Sequence, residues 1–177
     1  MSTIAGFPPI SAEGCRVLVL GSMPSEISLK RQQYYGHHRN AFWRIMGELF
    51  GAGQEIEYER RKQILMRYGV AVWDVLKTCC RKGSMDSDID MESIQINNFN
   101  GFYTAYPAIK AVFFNGGTAE KVYTKKVLPV LNKEFDDLKY RRLPSTSPAY
   151  ASMNLDRKIE AWRVILSELT ACGKVGG

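Results

Sequence analysis

Arg16-Val17-Leu18-Val19-Leu20 runs without interruption into Gly21-Ser22-Met23-Pro24. A five-residue run with four apolar residues in succession, stopped by a small and polar turn, reads as a strand buried in a parallel sheet rather than one with a solvated side. The same unit recurs at Val70 to Trp73 (VAVW) before Asp74-Val75, and at Ala111 to Phe114 (AVFF) before Asn115-Gly116-Gly117. A fourth run, Leu138 to Leu143 (LKYRRL), precedes Pro144-Ser145-Thr146-Ser147-Pro148 and is polar enough to lie at an edge. Helical stripes fill the gaps at Ala41 to Phe50, Thr118 to Leu131 and Asn154 to Ala171. In the last, Ile159, Trp162, Ile165, Leu166 and Leu169 form one apolar face, and Asn154 is placed to cap it. Strands alternating with helices predict an α/β fold: a three-layer α/β/α arrangement around a central, mostly parallel four-stranded sheet. Residues 1–177 are expected to form a single domain, with 1–14 and 173–177 loosely ordered.

Every small or polar segment named above follows the carboxyl end of its strand, the edge where open parallel sheets bind ligands. Four segments therefore point at one crevice. Turn chemistry alone accounts for Gly, Pro and Ser in any one loop, but Asp74 and Asn115 are polar groups set directly after apolar runs. The segment Ser25 to Arg39 reads as a functional loop, too polar for a core helix. In it, Tyr34 and Tyr35 either offer aromatic faces to a nucleobase or pack beneath the loop, and Lys30, Arg31 and Arg39 are candidates for phosphate contacts.

With 24 Lys plus Arg against 18 Asp plus Glu, the net charge of +6 favours an anionic partner. The sequence lacks the P-loop, the dinucleotide fingerprint, the HExxH pair and the GxSxG elbow, so the commonest hydrolase and nucleotide-binding readings lose their mechanical parts. Cys15, Cys79, Cys80 and Cys172 form no CxxC pair, which argues against a zinc or iron–sulfur site. The thiols read as reduced ones in a cytoplasmic protein. Apolar stretches fall well short of the roughly 18 residues that span a bilayer. No metal, cofactor or membrane is expected.

Gly21-Ser22-Met23-Pro24, followed by Tyr34-Tyr35-Gly36-His37-His38-Arg39-Asn40 and Phe42-Trp43, resembles the first motif region of the mismatch-specific and hypoxanthine-specific DNA glycosylases. Leu143-Pro144-Ser145-Thr146-Ser147-Pro148 is similar to the second motif of the same uracil-DNA glycosylase superfamily. That loop presses on the DNA backbone. Trp73-Asp74-Val75, and Gly83-Ser84 through Asp86 and Ile89, resemble the middle of these enzymes. The likeness runs from about Val17 to Trp162.

Two departures refine it. Met23 stands where related branches carry the asparagine or aspartate that positions water, and a thioether cannot take that part. Leu143 stands where the main uracil branch has a histidine. Both agree with the hypoxanthine branch, whose resemblance implies a catalytic amide at Asn40 and a second at Asn115. It further implies a base pocket of Met23, Tyr35, Phe114 and Asp74, and backbone contacts from Gly21, Ser22, Pro24, Pro144, Ser145, Thr146 and Ser147. In that scheme Ser22, Ser145 and Ser147 bind phosphates, Tyr35 stacks on an extruded base, Asn115 donates to the departing base, and Asn40 orients water. Asn40 also suits the N-terminus of the helix that follows it. Asp74 either accepts a hydrogen bond from a purine N–H or caps a turn.

The activity so implied is that of a monomeric, monofunctional glycosylase removing deaminated bases, above all hypoxanthine, from double-stranded DNA. Activity on single strands is left open. Excision of uracil or mismatched thymine is the nearest alternative. A nucleic-acid-binding module without catalysis is an alternative of another class.

Overall fold

The computed structural model describes residues 3–172. Strands Thr3–Ala5 (β1) and Val17–Gly21 (β2) lead to helices Glu26–Arg31 (α1), Phe42–Phe50 (α2) and Tyr58–Tyr68 (α3). Strands Val70–Asp74 (β3), Leu76–Arg81 (β4) and Ile89–Ile96 (β5) follow, then helix Phe99–Ala105 (α4). The chain continues through Ala111–Asn115 (β6), Gly117–Val122 (α5), Lys139–Leu143 (β7), Leu155–Trp162 (α6) and Val164–Cys172 (α7).

The four expected strands form one sheet in the order β3-β2-β6-β7, every neighbouring pair parallel. All of β2 and β3 is buried, which is why their sequences are apolar on both faces. Helix α3 packs on β3, α5 beside β6 and α7 against β2. Strand β7 lies at the edge, exposed except at Leu143, as its polarity indicates. Phe42, Trp43, Ile45 and Met46 of α2 are buried and meet α6, whose Trp162 is buried as well. The Asn154 side chain caps α6 by accepting from the Arg157 N–H at 3.0 Å.

A second sheet was absent from the sequence-based expectation. Strands β1, β4 and β5 pair antiparallel in that order, with Thr3 opposite Cys80 and Leu76 opposite Ile96. This overturns the expectation that residues 1–14 are loosely held. From Thr3 onward they are tied down: Gly6 donates to the Lys77 carbonyl at 2.9 Å, and buried Ile10 bridges to Val72. The expected loose tail, 173–177, lies outside the described residues.

The Ser25–Arg39 segment also departs from the reading as a loop. Ser25 caps α1 through its hydroxyl, which accepts from the Ser28 N–H. Only one face of the helix is buried, at Ser28, so residues 26–31 are polar and helical at once, while 32–39 run through turns and bends as a loop does. The 118–131 stripe continues α5 as a π turn over Tyr123–Val127 and a 3₁₀ turn over Leu128–Val130. The 154–171 stripe divides into α6 and α7 at Arg163. Among the described residues no helix is long and apolar enough to cross a membrane.

Candidate active site

The carboxyl ends of β2, β3 and β6 and the loop after β7 open on one crevice of about 690 Å³, within the range of small-molecule sites. Gly21 lies in register with Asp74 across the β2–β3 pair, and Asn115 with Leu143 across the β6–β7 pair. Parallel pairing thus fixes which polar groups meet.

Asn115 is bound twice to Thr146. Its Oδ1 accepts from the Thr146 N–H at 2.9 Å and its Nδ2 donates to Thr146 Oγ1 at 2.9 Å. Thr146 is 1% exposed, and its carbonyl accepts from the Ala41 N–H at 2.9 Å. The stretch carrying Asn40 is therefore bolted to the loop that holds Asn115. Asn40 itself lines the crevice, and its Oδ1 accepts from the Phe42 N–H at 3.0 Å at the start of α2. The bond to the helix terminus fixes the side chain without using the second lone pair of the oxygen. Gly116 serves the same assembly: its φ of 94° is left-handed, and a Cβ there would stand 3.0 Å from that of Ser145.

The tyrosine pair splits its duties. Tyr34 is buried and its hydroxyl donates to the carbonyls of Phe7 at 3.2 Å and Pro8 at 2.9 Å. Tyr35 lines the crevice, stands at φ 53°, and stacks on Phe42 with ring centroids 4.0 Å apart. One face of its ring is taken by Phe42. Burial, and secondarily the neighbouring Asp74, hold the Tyr35 phenol far above its ordinary value. Burial followed by the positive field of His38 and Arg39 lowers the His37 imidazole, whose Nδ1 accepts from the Arg39 N–H at 3.1 Å. Neutral His37 then carries its proton on Nε2.

Several expected site residues are placed elsewhere or otherwise engaged. Phe114, expected in the base pocket, does not line the crevice. Neighbouring side chains on a strand alternate in direction, and Phe114 packs between Tyr123 and Tyr140 while Asn115 reaches the crevice. Pro144 is also outside the lining, its carbonyl accepting from Trp162 Nε1 at 3.0 Å. Thr146 lines the crevice but is 1% exposed, with its hydroxyl and N–H both committed to Asn115. Gly21, Ser22, Met23 and Pro24 do line the crevice. The Ser22 hydroxyl, however, donates to Asp86 at 2.5 Å, so its proton is already committed. Ser145 and Ser147 only accept, from the N–H groups of Ser147 and Ala149 at 3.2 Å each, which leaves both hydroxyl protons free. Asp74 caps no turn: its side chain receives no hydrogen bond, and Oδ2 is buried without a partner.

The sequence reading matched Ser84 through Asp86, from the turn between β4 and β5, to the family without giving them a place in the site, and it missed Lys121 and Tyr150. The Gly83 to Asp88 run of small and acidic residues was a usable turn signal.

A strand-end crevice holding two fixed amides, a half-stacked tyrosine and free loop hydroxyls has the parts needed to hold an extruded base and its phosphates. The family model of the uracil DNA glycosylase superfamily matches residues 8–169. The chain belongs to that superfamily of DNA glycosylases. A hypoxanthine DNA glycosylase of Methanosarcina acetivorans is 38% identical over 133 residues, covering 70% of this chain and 83% of the relative. Another, from Methanosarcina barkeri, is 41% identical over 112 residues, covering 63% and 70%. The solution NMR structure of a Methanosarcina acetivorans protein provisionally described as a uracil DNA glycosylase is 32% identical. It superposes with a TM-score of 0.77 over 96% of this chain and 99% of that one.

Proposed function

We propose that this protein hydrolyses the N-glycosidic bond of deoxyinosine in DNA, releasing hypoxanthine and leaving an abasic site. The observation that carries the reading is the joining of Asn40 and Asn115 through Thr146 on one crevice, with a thioether at Met23 where a polar group would otherwise hold water. Relatives named for hypoxanthine support it.

Extrusion of the nucleotide costs a few kcal/mol, less for a weakly paired base, so selection starts before contact with the pocket. Ser145 and Ser147 donate to the flanking phosphates, and the open face of Tyr35 receives the base. Asn40 orients water toward the anomeric carbon; an amide is too weak a base to do more. The second N–H of Asn115 meets charge developing on the departing base, and the two hydrogen bonds to Thr146 mean that little reorganisation is needed at that moment. We place the activity in the cytoplasm, acting as a monomer on duplex DNA. The free thiols of Cys15 and Cys79 suit a reducing compartment.

Single-turnover excision from duplexes containing inosine, uracil, xanthine or a G·T pair tests the assignment. Inosine is expected to be released fastest. Faster release of uracil or thymine moves the substrate to the nearest alternative. Equal binding to damaged and undamaged DNA, without abasic product at excess enzyme, makes the protein a binding module.

A further inference from the structure

The floor of the crevice holds two buried polar groups that the scheme above leaves unused. Asp74 ends β3, is 3% exposed and presents a buried Oδ2 with no hydrogen-bond partner. The Tyr35 hydroxyl is buried without a partner too. Both close over Gly21: a Cβ there would fall 2.5 Å from Asp74 Oδ1 and 2.9 Å from the tyrosine oxygen. Only glycine lets β2 pass beneath them.

The charged surroundings do not neutralise a carboxylate at this place. Asp86, from the turn after β4, lines the same crevice and repels it. Arg81, at the end of β4, attracts it from a distance, but the guanidinium donates to the Pro24 carbonyl at 2.6 Å and forms no ion pair with Asp74. Tyr34 and Tyr35, from the segment before α2, are themselves raised by Asp74 and remain neutral phenols. Lys121 of α5 lines the crevice without an ion pair to Asp74. A buried carboxyl with neither a cation nor a donor takes up a proton rather than carry an uncompensated charge. Burial first, and Asp86 second, against the pull of Arg81, push Asp74 up to about 7. At neutral pH much of the population then holds an acidic O–H in the wall of the crevice proposed to receive the base.

We propose that Asp74 is the general acid of the reaction, passing its proton to a ring nitrogen of the departing purine as the glycosidic bond breaks. This rests on the deoxyinosine assignment. The electron pair of the C1′–N9 bond goes to the base, the Asp74 proton neutralises it, and hypoxanthine leaves uncharged. Water held at Asn40 forms the new C1′–O bond and gives its excess proton to solvent, from which the Asp74 carboxylate is reprotonated before the next turnover. The chemistry suits a purine in particular. A purine keeps basic ring nitrogens remote from the broken bond, whereas a pyrimidine lactam leaves as a delocalised anion that needs only hydrogen-bond donors.

The test is single-turnover excision of inosine by the full chain from pH 5.5 to 9, for the wild type and Asp74→Asn. The wild-type rate is expected to fall about tenfold per pH unit once Asp74 is ionised, and Asp74→Asn to be about a hundredfold slower at pH 6 with that dependence gone. Xanthine, a more acidic leaving base, loses less from the substitution than hypoxanthine. A second measurement needs no activity: the ¹³C resonance of the Asp74 carboxyl in DNA-free enzyme is expected to titrate near neutrality. A flat wild-type profile, an Asp74→Asn rate equal to wild type, or a carboxyl titrating below pH 5 overturns the proposal while leaving deoxyinosine excision intact. No hypoxanthine release by the wild type defeats the substrate assignment instead, and the ¹³C titration then still decides whether Asp74 holds its proton.

Discussion

Asn115 and Asp74 each end a strand beside the crevice, one on either side of β2, and the protein treats them in opposite ways. Asn115 has both ends of its amide bonded to Thr146, and Thr146 is bonded onward to Ala41. Asp74 has an orphaned oxygen, an orphaned tyrosine hydroxyl beside it, and a like charge nearby. An amide bonded through both its oxygen and its nitrogen is fixed in position and has no proton to exchange. A carboxyl buried without partners keeps its place by packing alone and adjusts its proton instead. One side of the crevice holds its groups still and the other holds a proton ready.

The largest effect expected from this contrast is on stability, and it has a definite sign. With Asp74 raised from the ordinary carboxylate range to about 7, the folded protein binds more protons than the unfolded chain between about pH 4 and 7. Stability on this account is full below that window and is lost as pH rises through it, by up to about 4 kcal/mol for a shift of roughly three units. Asp74→Asn is therefore expected to raise the melting temperature relative to wild type at pH 8 and to lose that advantage at pH 4. An advantage that stays constant with pH would show that Asp74 is charged on both sides of the window, and the contrast with Asn115 would fail.

Next comes Asn40, on the satisfied side. Asn40→Ala is expected to slow single-turnover excision about a hundredfold or more, the scale of losing one preorganised polar group, with little change in DNA affinity. If its bond to Phe42 is the whole of its role, stability drops by about 1 kcal/mol and the rate stays near wild type. Melting and rate measured together on one preparation separate the two.

Thr146→Val probes the clamp itself. It keeps the shape and the backbone N–H but removes the acceptor for Asn115 Nδ2. A stability loss of about 1–3 kcal/mol is expected for the unpaired amide, with excision slowed roughly tenfold as Asn115 gains freedom. An unchanged rate would mean that the backbone bond alone fixes Asn115.

The smallest difference separates Tyr35→Phe from wild type. Ala at this position should weaken base capture by about 1–3 kcal/mol, whereas Phe keeps the ring and discards a hydroxyl that has no partner. Equal damage from both variants, read as Kd for inosine-containing DNA, would assign the work to the hydroxyl rather than the ring face.

How far the molecule was legible in its sequence follows from where each residue draws its constraint. The parallel strands were readable because burial on both faces leaves an apolar signature within five residues, and the polarity of β7 told its edge position. The antiparallel sheet was not. Its first strand, Thr3–Ala5, is meaningful only through Thr78 to Cys80, and β5 is half-exposed with no clean alternation. Met23, Asp74 and Asn115 were recognisable near strand ends, Tyr35 as an aromatic of the following segment and Asn40 only through the family resemblance; all five lie on the crevice. Phe114 was misplaced although strand alternation forbids it the same face as Asn115. The partners of Thr146 and the orphaned state of Asp74 were beyond reach, since both depend on distances between segments far apart in the chain.

The wiring of the second loop also sets an order of assembly. Central β2 pairs with β6, whose partner β7 comes later still, and the loop after β7 is held from α6: Trp162 donates to the Pro144 carbonyl at 3.0 Å and Lys158 Nζ to that of Tyr150 at 2.9 Å. Such long-range pairings form slowly because loop closure precedes any gain from contact. During synthesis, a ribosome-bound chain that has delivered every residue of the crevice would still lack its far wall until α6 had cleared the exit tunnel and folded back. The nascent protein thus acquires its grip on DNA in one late step.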